Sequence, residues 1–250
     1  NTKTKKTLFY LFLLAPFFQF FGQTTVPYTT SGAGTWTVPC GVTSITVEIW
    51  GAGGGGQRAE GNPSAGGGGS GGGYIRTTYT VTPGTAYNLH VGAGGTGNSG
   101  GNGESSWFVN NTTLLAIGGR GAGAAVTANS TWGTGAVAPT TGNIGGSIVS
   151  TYGGNGGTAI SNESGGGGSS AGNTTGNNAS GVTGGAAPTN GFAGVNGLSA
   201  NSDGNPGNVG SGGSGGRTGN NTDRNGGAGG RGEIRITYTS TFATYCTPTF

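Results

Sequence analysis

Apolar and polar residues alternate in several short stretches of the chain. In one of them, residues 45–50, the apolar residues Ile45, Val47 and Ile49 share one side. A period of two is typical of a β-strand with one buried face. The same alternation predicts strands over residues 35–38, 45–50, 74–81, 86–91, 105–109, 112–117 and 233–239. A set of short strands of this kind favours a mainly β fold of the sandwich or jelly-roll type.

Turn residues separate some of the neighbouring strands. Pro83 and Gly84 stand between the third and fourth predicted strands, and Asn110 and Asn111 stand between the fifth and sixth. Proline presets the backbone for a turn, and both glycine and asparagine accept a positive φ. Each of the two sites therefore predicts a β-hairpin.

Glycine dominates the rest of the sequence, at 63 of 250 residues. Three residues per turn is the period of the polyproline II helix, which has no internal hydrogen bonds. A glycine stripe along such a helix lets neighbours approach until their backbones hydrogen-bond to one another. The chain therefore predicts an inserted bundle of polyglycine II helices, with almost no α-helix in the mature protein. The longest run with this spacing comprises Gly204, Gly207, Gly210, Gly213, Gly216 and Gly219.

A flexible linker rich in glycine and serine is the alternative to such a bundle. Mixed spacing is typical of a linker, so the regular spacing favours order over residues 191–232. Both interpretations stay open for residues 118–190.

The bundle hypothesis makes a prediction about phase. If residues 204–219 form one packed helix, Gly210→Val or Gly213→Val lowers the melting temperature markedly, as a glycine substitution does in collagen. Asn208→Val and Ser211→Val, at the positions between the glycines, then change it little.

The first residues have the pattern of a secretory signal peptide, predicted over residues 1–22. A lysine cluster precedes an apolar run over residues 8–21, which is shorter than the roughly 18–20 residues of a membrane-spanning helix. Residues 23–34 are then a leader, residues 35–239 the domain, and residues 240–250 a linker or the start of a following module.

Removal of the signal peptide changes the charge of the chain. All three lysines leave with it, so seven arginines remain against seven acidic residues. A neutral chain without a basic cluster is a poor ligand for nucleic acid and for anionic membranes. We therefore expect a secreted or cell-surface protein with no nucleic-acid partner and no membrane span in the mature chain.

Motifs that resemble catalytic or cofactor sites lack the partners that their chemistry needs. Residues 51–56 match G-x-G-x-x-G, but no helix can start after them to hold a pyrophosphate. Gly-x-Ser-x-Gly occurs several times, yet the only histidine, His90, falls on the polar face of a strand. Two cysteines and one histidine do not make a zinc site, and Asp203 and Asp223 each lack an acidic partner. We expect no enzymatic activity, cofactor or metal.

Three aromatic residues and two cysteines are the remaining candidates. Trp132, Tyr152 and Phe192 lie in the glycine-rich insert, away from the strands. Aromatic side chains at loop tips are favoured binding anchors, and packing on the edge of the sandwich is the alternative. Cys40 and Cys246 could pair in an exported chain, or Cys246 could serve a following module.

Several of these motifs resemble a known family. Residues 36–39 read Trp-Thr-Val-Pro, and residues 50–54, at the end of the next strand, read Trp-Gly-Ala-Gly-Gly. This order is similar to that of secreted bacterial glycine-rich domains, and to the glycine-rich domain in the ectodomains of anaplastic lymphoma kinase and leukocyte tyrosine kinase. The resemblance implies a tumour-necrosis-factor-like β-sandwich that carries polyglycine helices. It covers about residues 35–239 and includes Gly-Gly-Tyr at 72–74, Val-Gly-Ala-Gly at 91–94 and Leu-Ala-Ile-Gly-Gly at 115–119.

The leading hypothesis is a non-enzymatic structural or adhesion module of a larger exported bacterial protein. Its insert loops would meet a protein or glycan partner. An ice-binding protein of the polyproline II type is one alternative, although the residues between Gly204 and Gly219 are too irregular for a flat face. A secreted hydrolase, or an accessory domain of one, is the other alternative. The sequence offers no histidine-based or paired-carboxylate catalytic site for it.

Overall fold

The predicted strands form, and the fold is all-β. A computed structural model describes residues 21–127 and 131–241, and no helix occurs among them. The described residues contain these strands: β1 Phe21–Tyr28, β2 Gly32–Thr37, β3 Ser44–Trp50, β4 Ser64–Ala65, β5 Tyr74–Thr80, β6 Ala86–Val91, β7 Ser106–Phe108, β8 Leu114–Ala116, β9 Thr131–Trp132, β10 Val149–Thr151, β11 Arg217–Thr218 and β12 Glu233–Thr241.

The strands are arranged in two main antiparallel sheets and one small sheet. The five-stranded sheet has the order β1-β12-β3-β5-β10, and the four-stranded sheet has the order β2-β6-β7-β8. Two-residue strands form the third sheet in the order β11-β4-β9, in which β4 and β9 are parallel.

The hydrophobic core lies between the two main sheets, as in a β-sandwich. Ile45, Val47 and Ile49 of β3 are at most 2% exposed, and they belong to one cluster with Leu89 and Phe108 of the other sheet. The alternation in the sequence therefore identified the buried faces of β3, β5, β6 and β12, whereas β1 was not predicted. Branched and aromatic side chains fit this half-buried pleated surface well.

One of the two predicted hairpins is confirmed and the other is wrong. Strands β7 and β8 pair directly, and the Asn110 side chain caps their turn by accepting the Thr112 N–H. The turn at Pro83 and Gly84 instead takes the chain from the five-stranded to the four-stranded sheet. Strands β5 and β6 both bury an apolar face, so they face each other across the core rather than pairing edge to edge.

Glycine-rich segments pack against one end of the sandwich as a block. We call the segments 51–57, 66–73, 92–104, 117–123, 133–138, 153–159, 164–172, 176–185, 191–198, 204–208, 211–216 and 224–232 the glycine-rich block. Most of them belong to no strand, yet their backbones hydrogen-bond to one another throughout. Residues 164–172 are fully buried in it, so this part of the segment 118–190 is packed rather than linker-like.

The hydrogen bonds of the block repeat every three residues. In the segment 51–57, the N–H groups of Gly51, Gly54 and Gln57 donate to residues 73, 70 and 67, at 2.9–3.0 Å. The intervening N–H groups donate to two other segments, those of residues 101–104 and 227–230. Carbonyl groups of the same segment accept N–H groups from residues 119 and 122, from residues 213 and 216, and from Gly95 in the other arm of the segment 92–104. Six stretches of chain therefore surround the segment 51–57, and all of its N–H groups donate to backbone carbonyls.

The run from residue 204 to residue 219 is not one straight segment. The chain reverses at Gly210, whose φ is +63°, so residues 204–208 and 211–216 lie side by side. Ser211 is fully buried, and its hydroxyl donates to the Asn208 carbonyl at 3.0 Å. We therefore expect Ser211→Val to lower stability, because valine would remove this side-chain hydrogen bond and place an extra methyl group in a fully buried position.

The beginning of the described chain belongs to the sheets. Strand β1 starts at Phe21 and pairs with β12 along its whole length. Residues 23–34, which the sequence assigns to a leader, form most of β1 and the start of β2. Residues 1–20 of the predicted signal peptide and residues 242–250 of the predicted linker lie outside the described residues.

Candidate functional site

The three candidate aromatic residues lie in different surroundings. Trp132 ends β9 and is 37% exposed. Tyr152 directly follows β10 and is half-buried. Phe192 packs against the sheet, with its ring 6.0 Å from that of Trp50. Among the described residues, no ring contact joins any two of the three, so they do not form one site.

Phe192 belongs to a cluster that anchors the glycine-rich block to the sandwich. The rings of Trp50 and Tyr74, which end β3 and begin β5, lie 4.8 Å apart and are fully buried. The Arg235 guanidinium lies 4.7 Å from the centre of the Trp50 ring, in a cation–π arrangement. The contacts of Phe192 are thus those of a packing residue.

A polar network completes this cluster. The Tyr74 hydroxyl and the Asn190 side-chain amide each donate to Glu48 Oε1 at 2.7 Å. Burial and the Glu48 carboxylate raise the pKa of Tyr74 well above its usual range. The Trp50 indole donates to the Asn190 carbonyl at 3.2 Å, and the Asn190 amide also donates to the Tyr74 hydroxyl at 2.9 Å. Three side chains of the sheet therefore hold Asn190, which directly precedes the block segment 191–198.

The large apolar side chains that the described residues expose all lie within residues 131–160, which we call the apolar insert. They are Trp132, Val137, Ile144, Ile148 and Ile160, at 37–61% exposure. This part of the insert could contact a partner without rearrangement of the fold.

The six glycines in phase differ in what surrounds them. A Cβ added to Gly204, Gly207, Gly213 or Gly216 would overlap backbone atoms of neighbouring segments. At Gly210, the positive φ and the Ser170 side chain at 3.0 Å oppose a Cβ. The nearest atom to a Cβ at Gly219 belongs to the end of the Asn201 side chain. These glycines therefore allow close packing, and none presents a chemical group to a ligand.

Asp203 and Asp223 make polar contacts that hold turns of the block. The Asp203 side chain accepts the N–H of Asn225 at 3.0 Å, and Asp223 pairs with Arg58 at 2.6 Å. Among the described residues, no group of three or more histidine, cysteine or acidic side chains could hold a metal. Cys40 is disulfide-bonded. Cys246 lies outside the described residues, and its pairing with Cys40 stays a prediction.

A surface that the sequence analysis did not identify lies on the outer face of the four-stranded sheet. The ring of His90 is nearly parallel to that of Trp107 on the next strand, at 15° and 5.8 Å. His90 Nε2 lies 3.3 Å from a carboxylate oxygen of Glu104. The hydrogen bond from the Ala93 N–H lowers the pKa of Glu104, and the contact with His90 adds a smaller effect in the same direction. Alternation places Trp107 on the solvent side of its strand, but only the tertiary structure places His90 beside it.

Comparison with protein families gives a match over most of the chain. The sequence matches the family of glycine-rich domains over residues 29–240. The chain belongs to that family. No curated protein matches it.

The matched family is defined as a glycine-rich domain, and its description names no activity or ligand. Its range includes the four-stranded sheet, the five-stranded sheet apart from β1 and the last residue of β12, and the whole glycine-rich block. In the part of the domain that the structure describes, no helix is long and apolar enough to cross a membrane. The surfaces left for function are the apolar insert and the outer faces of the sheets.

Proposed function

We propose that this glycine-rich domain is a non-enzymatic display module of an exported bacterial protein, whose insert loops adhere to a partner. The observation that carries the proposal is the position of its two ends. Gln23 and Thr239, near the two ends of the domain, are cross-strand partners on β1 and β12. A domain whose two ends lie together adds little length to a longer protein. This arrangement suits the display of loops better than the role of a spacer between other domains.

The glycine-rich block supports the proposal through its rigidity. We infer that its segments are polyglycine II helices, because hydrogen bonds that repeat every three residues match three residues per turn. Backbone groups and small side chains fill this block. It can therefore support loops at its surface, and it contains few reactive side chains. Nuclear magnetic resonance of residues 51–57 tests this inference, with φ near −75° and ψ near +145° expected.

The proposal includes features that the sequence suggests. Residues 1–22 would be a signal peptide that directs export to the surface or the medium. The order of motifs, with its likeness to the ectodomains of anaplastic lymphoma kinase and leukocyte tyrosine kinase, supports a role outside the cell. A disulfide between Cys40 and Cys246 would suit the same environment.

An adhesion assay tests the function. Beads coated with the chain are allowed to settle on intact bacterial cells and on surfaces coated with protein or polysaccharide. We expect retention on at least one surface, and about tenfold lower retention for the double variant Trp132→Ala/Ile160→Asn. Asn208→Ala, which changes an exposed residue outside residues 131–160, is the control. Retention no greater than that of albumin-coated beads on every surface would contradict the proposal.

One observation favours the ice-binding alternative. Thr25, Thr237, Thr46 and Thr78 are cross-strand neighbours on the outer face of the five-stranded sheet. A row of threonines is also ordinary for an exposed strand face, and a twist of about 20–25° per strand opposes a flat lattice match. Thermal hysteresis of the purified chain that disappears in Thr46→Lys would favour this alternative over adhesion.

A further inference from the structure

The outer face of the four-stranded sheet carries a row of side chains at matched register. Ala33 of β2 lies opposite His90 of β6, His90 lies opposite Trp107 of β7, and Trp107 lies opposite Leu115 of β8. Phe108, the next residue after Trp107, is fully buried in the core. The Trp107 indole therefore stands on the solvent side of the sheet, in the middle of this row.

Neighbouring side chains hold the Trp107 ring in place. On one side the ring of His90 is nearly parallel to it, and His90 is only 27% exposed. The Glu104 carboxylate contacts His90 and accepts the Ala93 N–H at 3.0 Å. A ring that is fixed before binding loses little conformational entropy when a ligand covers it.

A shallow depression of about 320 Å³ lies beside the indole. This volume is at the small end of the range of about 300–1,000 Å³ that is usual for ligand sites. Its walls include Ala33, Thr35, Asn88 and Trp107. Gly34, with no side chain, also lines it.

Two polar side chains in the depression have no hydrogen-bond partner among the residues that the structure describes. Thr35 and Asn88 are cross-strand neighbours and both are exposed. Neither side chain makes a hydrogen bond within residues 21–127 and 131–241. The amide of Asn88 offers donors and an acceptor, and the hydroxyl of Thr35 offers one donor and acceptor lone pairs.

We propose that this depression binds one pyranose ring of a neutral glycan, stacked on Trp107 and hydrogen-bonded to Asn88 and Thr35. A pyranose has an apolar C–H face and a rim of hydroxyl groups. The indole offers a flat apolar surface for that face, and the two free polar side chains suit the rim. Among the described residues, no arginine or lysine lines the depression, so they offer an acidic sugar no counter-charge. The adhesive insert of the proposed function lies elsewhere, so the two proposals can fail separately.

Titration with soluble sugars tests the site. The full chain is titrated with cellohexaose, chitohexaose and mannohexaose, and binding is followed by tryptophan fluorescence and by calorimetry. We expect at least one of the three to bind with a Kd of about 1 mM or tighter. Trp107→Ala and Asn88→Ala should each weaken that binding by about tenfold or more.

Matched variants separate recognition from folding. Asn88→Ala removes an exposed side chain without a partner in the described protein, so its thermal melt should equal that of the wild type. Trp132→Ala removes a tryptophan of the insert and should leave sugar binding unchanged.

Three results would overturn the proposal. One is the absence of heat and fluorescence change with all three sugars up to about 10 mM. A second is binding that Trp107→Ala and Asn88→Ala leave at wild-type strength. The third concerns the beads that carry the chain. If Trp107→Ala abolishes their retention on a protein-coated surface and none of the three sugars binds, the occupant of the depression is a protein. Loss of bead adhesion in the Trp132 variant with intact sugar binding would leave this site standing.

Discussion

At the scale of single residues, the number of packed neighbours decides which glycines can be replaced. A Cβ on Gly53 or Gly56 would overlap the backbone of the segment 211–216. A Cβ on Gly54 would overlap the segment 117–123, and a Cβ on Gly55 would overlap the segment 92–104. A glycine at every third position clears only one side of a segment. A segment with neighbours on all sides therefore needs glycine, or a small residue, at nearly every position.

Two glycines from the same periodic run give a direct test. Gly213→Ala places a methyl group against the carbonyls of Gly227 and Ala228, so we expect a loss of about 1–3 kcal/mol of folding free energy. Gly219→Ala meets only the Asn201 side chain, which can move, and should cost less than about 0.5 kcal/mol. Urea unfolding of both variants measures the difference. Equal losses at the two positions would show that period alone, rather than depth in the block, sets the cost.

At the scale of elements, runs of consecutive glycine mark the interior of the block. The runs of four at 53–56, 66–69 and 165–168 are all buried. The segment 191–198, with glycine at every third position, is only partly buried. A single interior run such as 53–56 is fixed by six neighbours, whereas a peripheral segment keeps one side for larger residues such as Phe192.

The junction between β3, β5 and the block predicts a dependence of stability on pH. The pKa of Tyr74 is raised in the folded protein by burial and by Glu48, while in the unfolded chain it stays near 10. The folded state therefore keeps the phenol neutral, and the stability that this contributes is complete below pH 10. It is lost as the pH rises above about 10, where the unfolded chain releases the proton first.

Replacement of one hydroxyl tests this dependence. Tyr74→Phe removes the titrating group, so its unfolding free energy should fall less steeply between about pH 10 and 11.5 than that of the wild type. At pH 7 the variant should be less stable by about 1–2 kcal/mol, because the hydrogen bond to Glu48 is lost. Denaturant unfolding at a series of pH values gives both quantities. An unchanged alkaline slope would mean that Tyr74 ionises equally in both states.

At the scale of the whole molecule, two kinds of interior share one chain. The sandwich is stabilised by apolar side chains, with Trp36, Ile49 and Phe108 in its core. The block is stabilised by close packing and by backbone hydrogen bonds, each of which contributes about 0.5–1.5 kcal/mol net. Trp50 and Tyr74 lie at the boundary, so we expect the two parts to unfold together.

Hydrogen exchange tests this cooperativity. The amides of Gly54 and Gly69 belong to no strand, but both donate to backbone carbonyls at 2.8–3.0 Å inside the block. We expect them to exchange as slowly as the amides of Val47 and Ile75 in the central strands. The amides of Asn98 and Ser99, in an exposed turn, are the fast controls. Exchange of Gly54 and Gly69 at the control rate would show that the block opens independently of the sandwich.

Much of the sandwich could be predicted from the sequence, because a half-buried strand imprints its own period of two. Ile45, Val47 and Ile49 thus identified a buried face without any knowledge of its partner. The turn at Asn110 and Asn111 was also predictable, since an asparagine side chain caps the chain locally. Pairing between sheets depends on distant residues, which is why the turn at Pro83 and Gly84 was misassigned.

The glycine period likewise indicated laterally packed segments, but only the tertiary structure decided how many neighbours each segment has. The sequence gives no sign that Ser211 is interior, because its burial depends on segments far away in the chain. The same holds for the surface around Trp107, which exists because register places His90, Asn88 and Thr35 beside it. Local periods follow from the geometry of one strand or segment, whereas depth and juxtaposition follow from contacts between elements, and those arise only when the whole chain is packed.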